Sequence, residues 1–240
     1  MGGGSLESYK SFSIEITNEG KVCKFYFKKD ATFSLETILE LGNFFEFLIK
    51  SSGISLVLFN APFPSWSVEN EDNKRNEHYL KMQKLLYAIK FLPQLCICNW
   101  GVSSNSVAID FGFCCDFRII SSGGSIKFSH LLENLSPCYF SIPILNYEIG
   151  VIRAKDFLFH FKELSAKDLL RLEFIYSSYE QDELEKILNE ILNKILAVPS
   201  LLRIQSKRLF LEDFLTNISS KQREINRIAQ ASIFTTSSLN

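Results

Sequence analysis

At 240 residues the chain has the size of one ordinary domain, or of one domain with a helical appendage, and can enclose a large core. Its 46% hydrophobic and 22% charged content is that of an average globular protein. A net charge of -1, with no basic stripe or acidic tail, leaves no electrostatic footprint for nucleic acid. No apolar stretch approaches the ~18 residues that span a bilayer, so no membrane partner is expected.

Residues 1–10, opening Met1-Gly-Gly-Gly-Ser5, read as a flexible N-terminal remnant, although Met-Gly-x-x-Ser also touches the myristoylation pattern. They contain no apolar signal-peptide core. Ser11–Thr17 and Val22–Phe27 alternate apolar and polar residues around Asn18-Glu-Gly-Lys21, which predicts a β-hairpin. Ser34–Lys50 carries Leu and Phe at helical spacing behind a Ser cap, with Gly53 as its end signal. Ile54–Phe59 is an apolar run of buried-strand type. A polar loop over 60–77 leads into a helix over about 76–91, which Pro93 terminates.

Leu95–Cys98 reads as a second buried strand, followed by a loop and a short helix over Ser106–Cys115. Phe117–Ile120 and Ile126–Phe128 predict strands around Gly123-Gly124. From about residue 150 the pattern is mainly helical: Val151–Phe161, Ala166–Leu172, Asp182–Ala197, Leu201–Leu215 and Ser219–Ala231. Strand–helix alternation giving way to helices describes an α/β fold, with a core over 11–195 and a helical region over 196–240. The 22 Phe point to a Phe- and Leu-rich interior or oligomer interface.

The six cysteines sit in apolar runs without a CxxC pair or a nearby His, so they read as buried small hydrophobes rather than metal ligands. Reduced thiols and a cytoplasmic location are the matching expectation. Nucleophile-elbow, phosphate-loop, dinucleotide and zincin motifs do not occur.

Three stretches run Leu92-Pro-Gln-Leu-Cys-Ile-Cys-Asn-Trp-Gly101, Val102-Ser-Ser-Asn-Ser-Val-Ala-Ile-Asp110 and Phe111-Gly-Phe-Cys-Cys-Asp-Phe-Arg-Ile119. Together they resemble the signature region of the crotonase (enoyl-CoA hydratase/isomerase) superfamily, with Pro93, Asn99, Gly101, Cys115, Asp116 and Arg118 in matching order. Leu56–Phe59, Trp66–Glu71, Gly150-x-x-x-Ala154, Leu164–Asp168 and Leu201–Lys207 extend the frame over roughly residues 12–215. The resemblance is divergent, because Ser106-Val-Ala108 stands where the family has Gly-Gly-Gly.

The resemblance implies a crotonase-like β-β-α superhelix with a C-terminal helical trimerisation region, and a homotrimer or hexamer. It also implies a thioester substrate, acyl-CoA or acyl carrier protein-bound, with coenzyme A entering as part of the substrate and no tightly bound cofactor or metal. Two backbone N–H groups would hold the thioester oxygen, those of Val68 and Val107 by alignment, the latter at a helix N-terminus. Trp66, Ser67 and His130 would line the substrate path.

The family's paired catalytic Glu fall on Asp110, one methylene shorter, and on Leu132, beside which Glu133 is the substitute. Asp110 reads equally as a helix-surface carboxylate or oligomer contact, and His130 as an acid/base or a structural loop residue. Asp116 and Arg118 are expected to hold loop and strand together, and Glu69–Arg75 to form a solvated loop. Two functions compete: an enzyme with hydratase activity lost or altered toward isomerase- or decarboxylase-type chemistry, and an inactive crotonase-fold partner subunit.

Overall fold

The computed structural model describes residues 9–66, 72–130, 141–180 and 182–212. The predicted hairpin forms from β1 (Phe12–Thr17) and β2 (Val22–Phe27), paired antiparallel with Phe12 opposite Phe27. Its turn carries positive φ at Asn18, Glu19 and Gly20. The short β3 (Thr32–Phe33) precedes α1 (Leu35–Lys50), whose N-cap Ser34 accepts from Thr37 N–H. The C-cap is Ser51, so α1 ends at Lys50 as its periodicity predicted, ahead of Gly53.

Next come β4 (Leu56–Asn60), β5 (Ser65–Trp66) and α2 (Asp72–Phe91). α2 begins four residues earlier than its periodicity predicted, because its polar first turn carries no apolar repeat to read. β6 (Leu95–Asn99), β7 (Ser103–Ser104), α3 (Ser106–Cys114), β8 (Phe117–Ser121) and β9 (Ser125–Lys127) follow. The last part contains α4 (Ser141–Ile149), α5 (Val151–Phe159), β10 (Glu163–Ser165), α6 (Ala166–Arg171), β11 (Ser177–Tyr179) and α7 (Leu184–Leu196). Residues 200–212 are helical, and the predicted helix over Ser219–Ala231 lies outside the described residues.

The main sheet runs β1-β2-β4-β6-β8-β11, parallel everywhere except the β1 edge. A three-stranded sheet, β10-β9-β7, and the pair β3-β5 complete the strands. Six of these strands are only two or three residues long, too short to show alternation in the sequence.

Strand alternation divides the interior into two layers. Cys23, Phe25, Val57, Phe59, Cys96 and Cys98 face the larger cluster, which α1, α2 and α3 cover. Val22, Leu56, Leu58, Ile97 and Ile119 face the other way, against Leu188, Ile191 and Leu192 of α7. Burial on both faces explains why these strands read as continuous apolar runs.

The interior is rich in Phe, as expected. Phe111 of α3 sits 5.4 to 6.0 Å from the rings of Phe27, Phe33, Phe59 and Phe63. Those separations are the favourable range for aromatic pairs, so α3 is anchored from below by its own ring.

Candidate functional site

The chain leaves β6 through Trp100 and Gly101, and both are constrained. Gly101 has φ +67, and a Cβ there would lie 2.9 Å from the Ala61 Cβ, so only glycine fits. Trp100 is wholly buried and donates its indole N–H to Ala108 O at 2.7 Å. Its ring fills the space at Gly112, where a Cβ would meet Cζ2 at 2.3 Å. The indole therefore sets the height of α3 above β6.

The start of α3 is built by Asn105. Its side-chain oxygen caps the helix by accepting from Ala108 N–H at 2.9 Å. Its amide nitrogen donates to Phe63 O at 3.2 Å and Pro64 O at 3.1 Å, tying the loop after β4 to the helix. The first intrahelical bond runs from Ile109 N to Asn105 O, which leaves the Ser106 and Val107 N–H groups outside the helical ladder. These donors sit at the positive end of the α3 dipole in a buried setting, with Ser106 and Val107 1% and 3% exposed.

One turn further on, Asp110 and His130 meet: His130 Nε2 is 3.0 Å from Asp110 Oδ2, and both side chains are buried. The Ser141 hydroxyl, at the first residue of α4, donates to Asp110 Oδ1 in a short contact. Beside this group the Ser106 and Ser129 hydroxyls lie 2.9 Å apart. The Ser129-His130 segment is thus pinned to α3 at two points four residues apart, along one helix face. The Phe128 and His130 rings lie 4.3 Å apart at 32°, which holds the imidazole against the core.

These positions correct one sequence expectation and sharpen another. Asp110 is not a helix-surface carboxylate; the face of α3 that carries it is covered by His130 and α4, leaving it 2% exposed. Val107 and Ala108, at positions where the resemblance places glycines, belong to the hydrophobic core. Trp66 contributes backbone to β5, opposite Phe33. Ser67, Val68, Leu132 and Glu133, with Glu69–Glu71, lie outside the described residues, whereas Asp72–Arg75, expected in a solvated loop, form the first turn of α2.

Ser141 and Asn105 are site residues that sequence reasoning missed. Asn105, directly before a predicted helix, carried an N-cap signal. Ser141 carried none, because its partner is 31 positions away.

Asp116 and Arg118 brace the structure. Asp116 Oδ2 accepts from Cys96 N–H at 2.8 Å and from Lys207 Nζ at 2.7 Å, and Lys207 also donates to Gln94 O at 2.7 Å. Arg118 donates to Phe174 O at 2.8 Å and to Glu148 Oε2 at 2.7 Å. Cys23, Cys96, Cys98, Cys114 and Cys115 are buried free thiols, as their apolar surroundings suggested. Among the described residues no group of three or more His, Cys, Asp or Glu could hold a metal ion.

No protein-family model matches the sequence, and no curated protein matches it significantly. Solved structures match strongly. The enoyl-CoA hydratase of Bacillus anthracis is 16% identical, with a TM-score of 0.75 over 95% of this chain and 97% of that one. An enoyl-CoA hydratase of Mycobacterium avium subsp. paratuberculosis K-10 is 15% identical, with a TM-score of 0.75 over 95% and 91%. A Thermobifida fusca YX protein in complex with acetoacetyl-CoA is 16% identical, with a TM-score of 0.70 over 94% and 95%. At these identities the agreement is one of fold, and it spans nearly the whole of both chains. This chain has the crotonase fold of the enoyl-CoA hydratases, in a divergent sequence.

Proposed function

We propose that this chain binds an acyl thioester, acyl-CoA or carrier-protein-bound, at the N-terminus of α3. Ordinary hydration is then lost or altered toward isomerase- or decarboxylase-type chemistry. The observation that carries this reading is the buried first turn of α3, with N–H donors outside the helical ladder and the Asp110–His130 pair one turn away. A structure of the same fold in complex with acetoacetyl-CoA supports the ligand class.

In this reading Val107 N–H takes the thioester oxygen, and Val68 N–H is its second donor. Trp66, Ser67 and His130 line the acyl path, and Asp110, with Glu133 as second carboxylate, belongs to the acid/base centre. Coenzyme A enters as part of the substrate, with no tightly bound cofactor, and the expected compartment is the cytoplasm. Among the described residues no helix is long and apolar enough to cross a membrane. Exposed Leu201, Leu202, Leu209 and Phe210 on the 200–212 helix support a homotrimer or hexamer. A scattering mass near the 27.5 kDa monomer at micromolar concentration would count against assembly.

Hydration needs two carboxylates to position a water, and here one position is Leu132 while both Asp110 oxygens already accept protein donors. Crotonyl-CoA hydration is therefore expected ~10³-fold or more below an ordinary hydratase. Calorimetric binding of crotonyl-CoA together with that low turnover is the expected result. Turnover within about tenfold of an ordinary hydratase, abolished by Asp110→Asn, overturns the altered-chemistry reading. Absence of binding favours the second reading, an inactive partner subunit, which the packing of Val107 and Ala108 into the core supports.

A further inference from the structure

We propose that His130, through Nδ1, is the general base of this site, and that Asp110 and Ser141 are the residues that position it. The proposal rests on the thioester reading above and deepens it, naming the reaction as a proton shift at the carbon next to the thioester.

The chain of hydrogen bonds assigns the imidazole tautomer. Ser141 donates to Asp110 Oδ1, and His130 Nε2 stands 3.0 Å from Asp110 Oδ2. A carboxylate only accepts, so Nε2 carries the proton and Nδ1 presents a bare lone pair. His130 is 1% exposed, and its Nδ1 has no hydrogen-bond partner. Buried polar atoms are rarely left in that state, because an unmade hydrogen bond in the interior is costly. An orphaned acceptor held in a fixed orientation calls for a ligand that brings a proton.

The orientation is fixed from three sides. Phe128 lies against the ring, the Ser129 hydroxyl is tied to Ser106, and Nε2 is held by Asp110. Ser106 and Asp110 are about 6 Å apart along the helix axis, so the imidazole stands beside the first turn of α3. A thioester oxygen at Val107 N–H would bring its α-carbon alongside this segment.

The step balances without water. Nδ1 takes the α-proton as the C–H bond breaks, and the electron pair moves into the C–C bond and onto the thioester oxygen, facing the helix N-terminus. The imidazolium is stabilised by Asp110, as in any carboxylate–imidazole pair. The proton then returns to the α-carbon, or to the γ-carbon of an unsaturated chain with migration of the double bond. The substrate class is an acyl thioester with an acidic α-hydrogen, and nothing is added to or lost from it.

The test is deuterium incorporation into butyryl-CoA in D2O, read by mass spectrometry, alongside calorimetric binding of the same thioester. His130→Gln is expected to keep binding and to lose exchange by ~10²–10⁴-fold, the usual contribution of a general base. Asp110→Asn, whose amide can donate to Nε2 and so move the proton to Nδ1, is expected to lose exchange comparably. Nitrogen-15 spectra of the native protein, which has three histidines, should show His130 protonated on Nε2 alone, a readout that does not depend on any variant folding. Exchange that survives His130→Gln, or a His130 protonated on Nδ1, overturns the assignment and leaves thioester binding intact. Binding without exchange in the native protein does the same. Failure of butyryl-CoA to bind overturns the thioester reading itself, and this proposal with it.

Discussion

Lys207 and Asp116 form an ion pair of 2.7 Å across 91 positions of sequence, and the lysine side chain is 8% exposed. The pair fastens the 200–212 helix to the start of β8. Lys207→Met leaves the carboxylate with the Cys96 N–H and no cation, which should cost about 3 kcal/mol. For a chain of this size that is a fall in Tm of about 6–12 °C by calorimetry.

The same pair has a defined pH dependence. Burial alone would lower the Lys207 pKa, but Cys96 and Asp116 outweigh it, and the pKa lies above the ordinary value. A raised folded pKa means that the stabilisation is complete below the unfolded value of about 10.4 and is lost as pH rises through the folded one. The stability gap between native protein and Lys207→Met should narrow only in strongly alkaline solution. A gap that widens there refutes the pairing.

The thiols set a second alkaline limit. Burial, with a smaller contribution from Cys96, pushes the Cys23 thiol up to about 12, and burial also raises Cys96 and Cys115. The unfolded chain releases these protons from about pH 8.5, so stability should decline between there and the folded values. Denaturant midpoints should fall between about pH 8 and about pH 10, and Cys23→Ala should flatten that slope. The five buried thiols should resist an aromatic disulfide reagent in the native state and react once denatured.

Gly112→Ala tests the seat of α3. The new Cβ would lie 2.3 to 2.6 Å from three atoms of the Trp100 indole, which is fully buried and bonded to Ala108 O. Relief requires the ring or the helix to move, and overpacking of this kind costs about 3 kcal/mol. The urea midpoint should fall accordingly. An unchanged midpoint would show that the indole does not set the helix position.

Asn105 combines two tasks that can be separated by substitution. Asn105→Ala removes the cap and both tethers to Phe63 O and Pro64 O, and should cost about 2 kcal/mol in stability. Asn105→Ser keeps a capping oxygen, so stability should be largely restored. Without the tethers, however, thioester affinity should stay about fivefold or more below native, a little over 1 kcal/mol. Full recovery of affinity in the serine variant would show that the tethers do not shape the binding loop.

Much of this protein was legible in the sequence. Alternation at Ser11–Thr17 and Val22–Phe27 determined the hairpin, apolar runs at Leu56 and Leu95 the central parallel strands, and the Ser34 cap the start of α1. The order of Pro93, Asn99, Gly101, Cys115, Asp116 and Arg118 pointed to the crotonase fold although the motif glycines are absent. Such features are local, written as side-chain periodicity or as turn and cap chemistry within a few residues.

The site belongs to the other kind. Whether Asp110 faced solvent or the interior was undecidable from α3 alone, because the sequence of that helix shows no polar stripe and every residue of it is buried. Tertiary structure decided it by laying Ser129-His130 along one face of the helix and bringing Ser141 to the same carboxylate. Hydrogen bonds between side chains 20 and 31 positions apart leave no periodic trace, since each depends on where two separate elements come to rest. The sequence by itself determined the strands and helices, and packing alone determined which polar groups they bring within reach of one another.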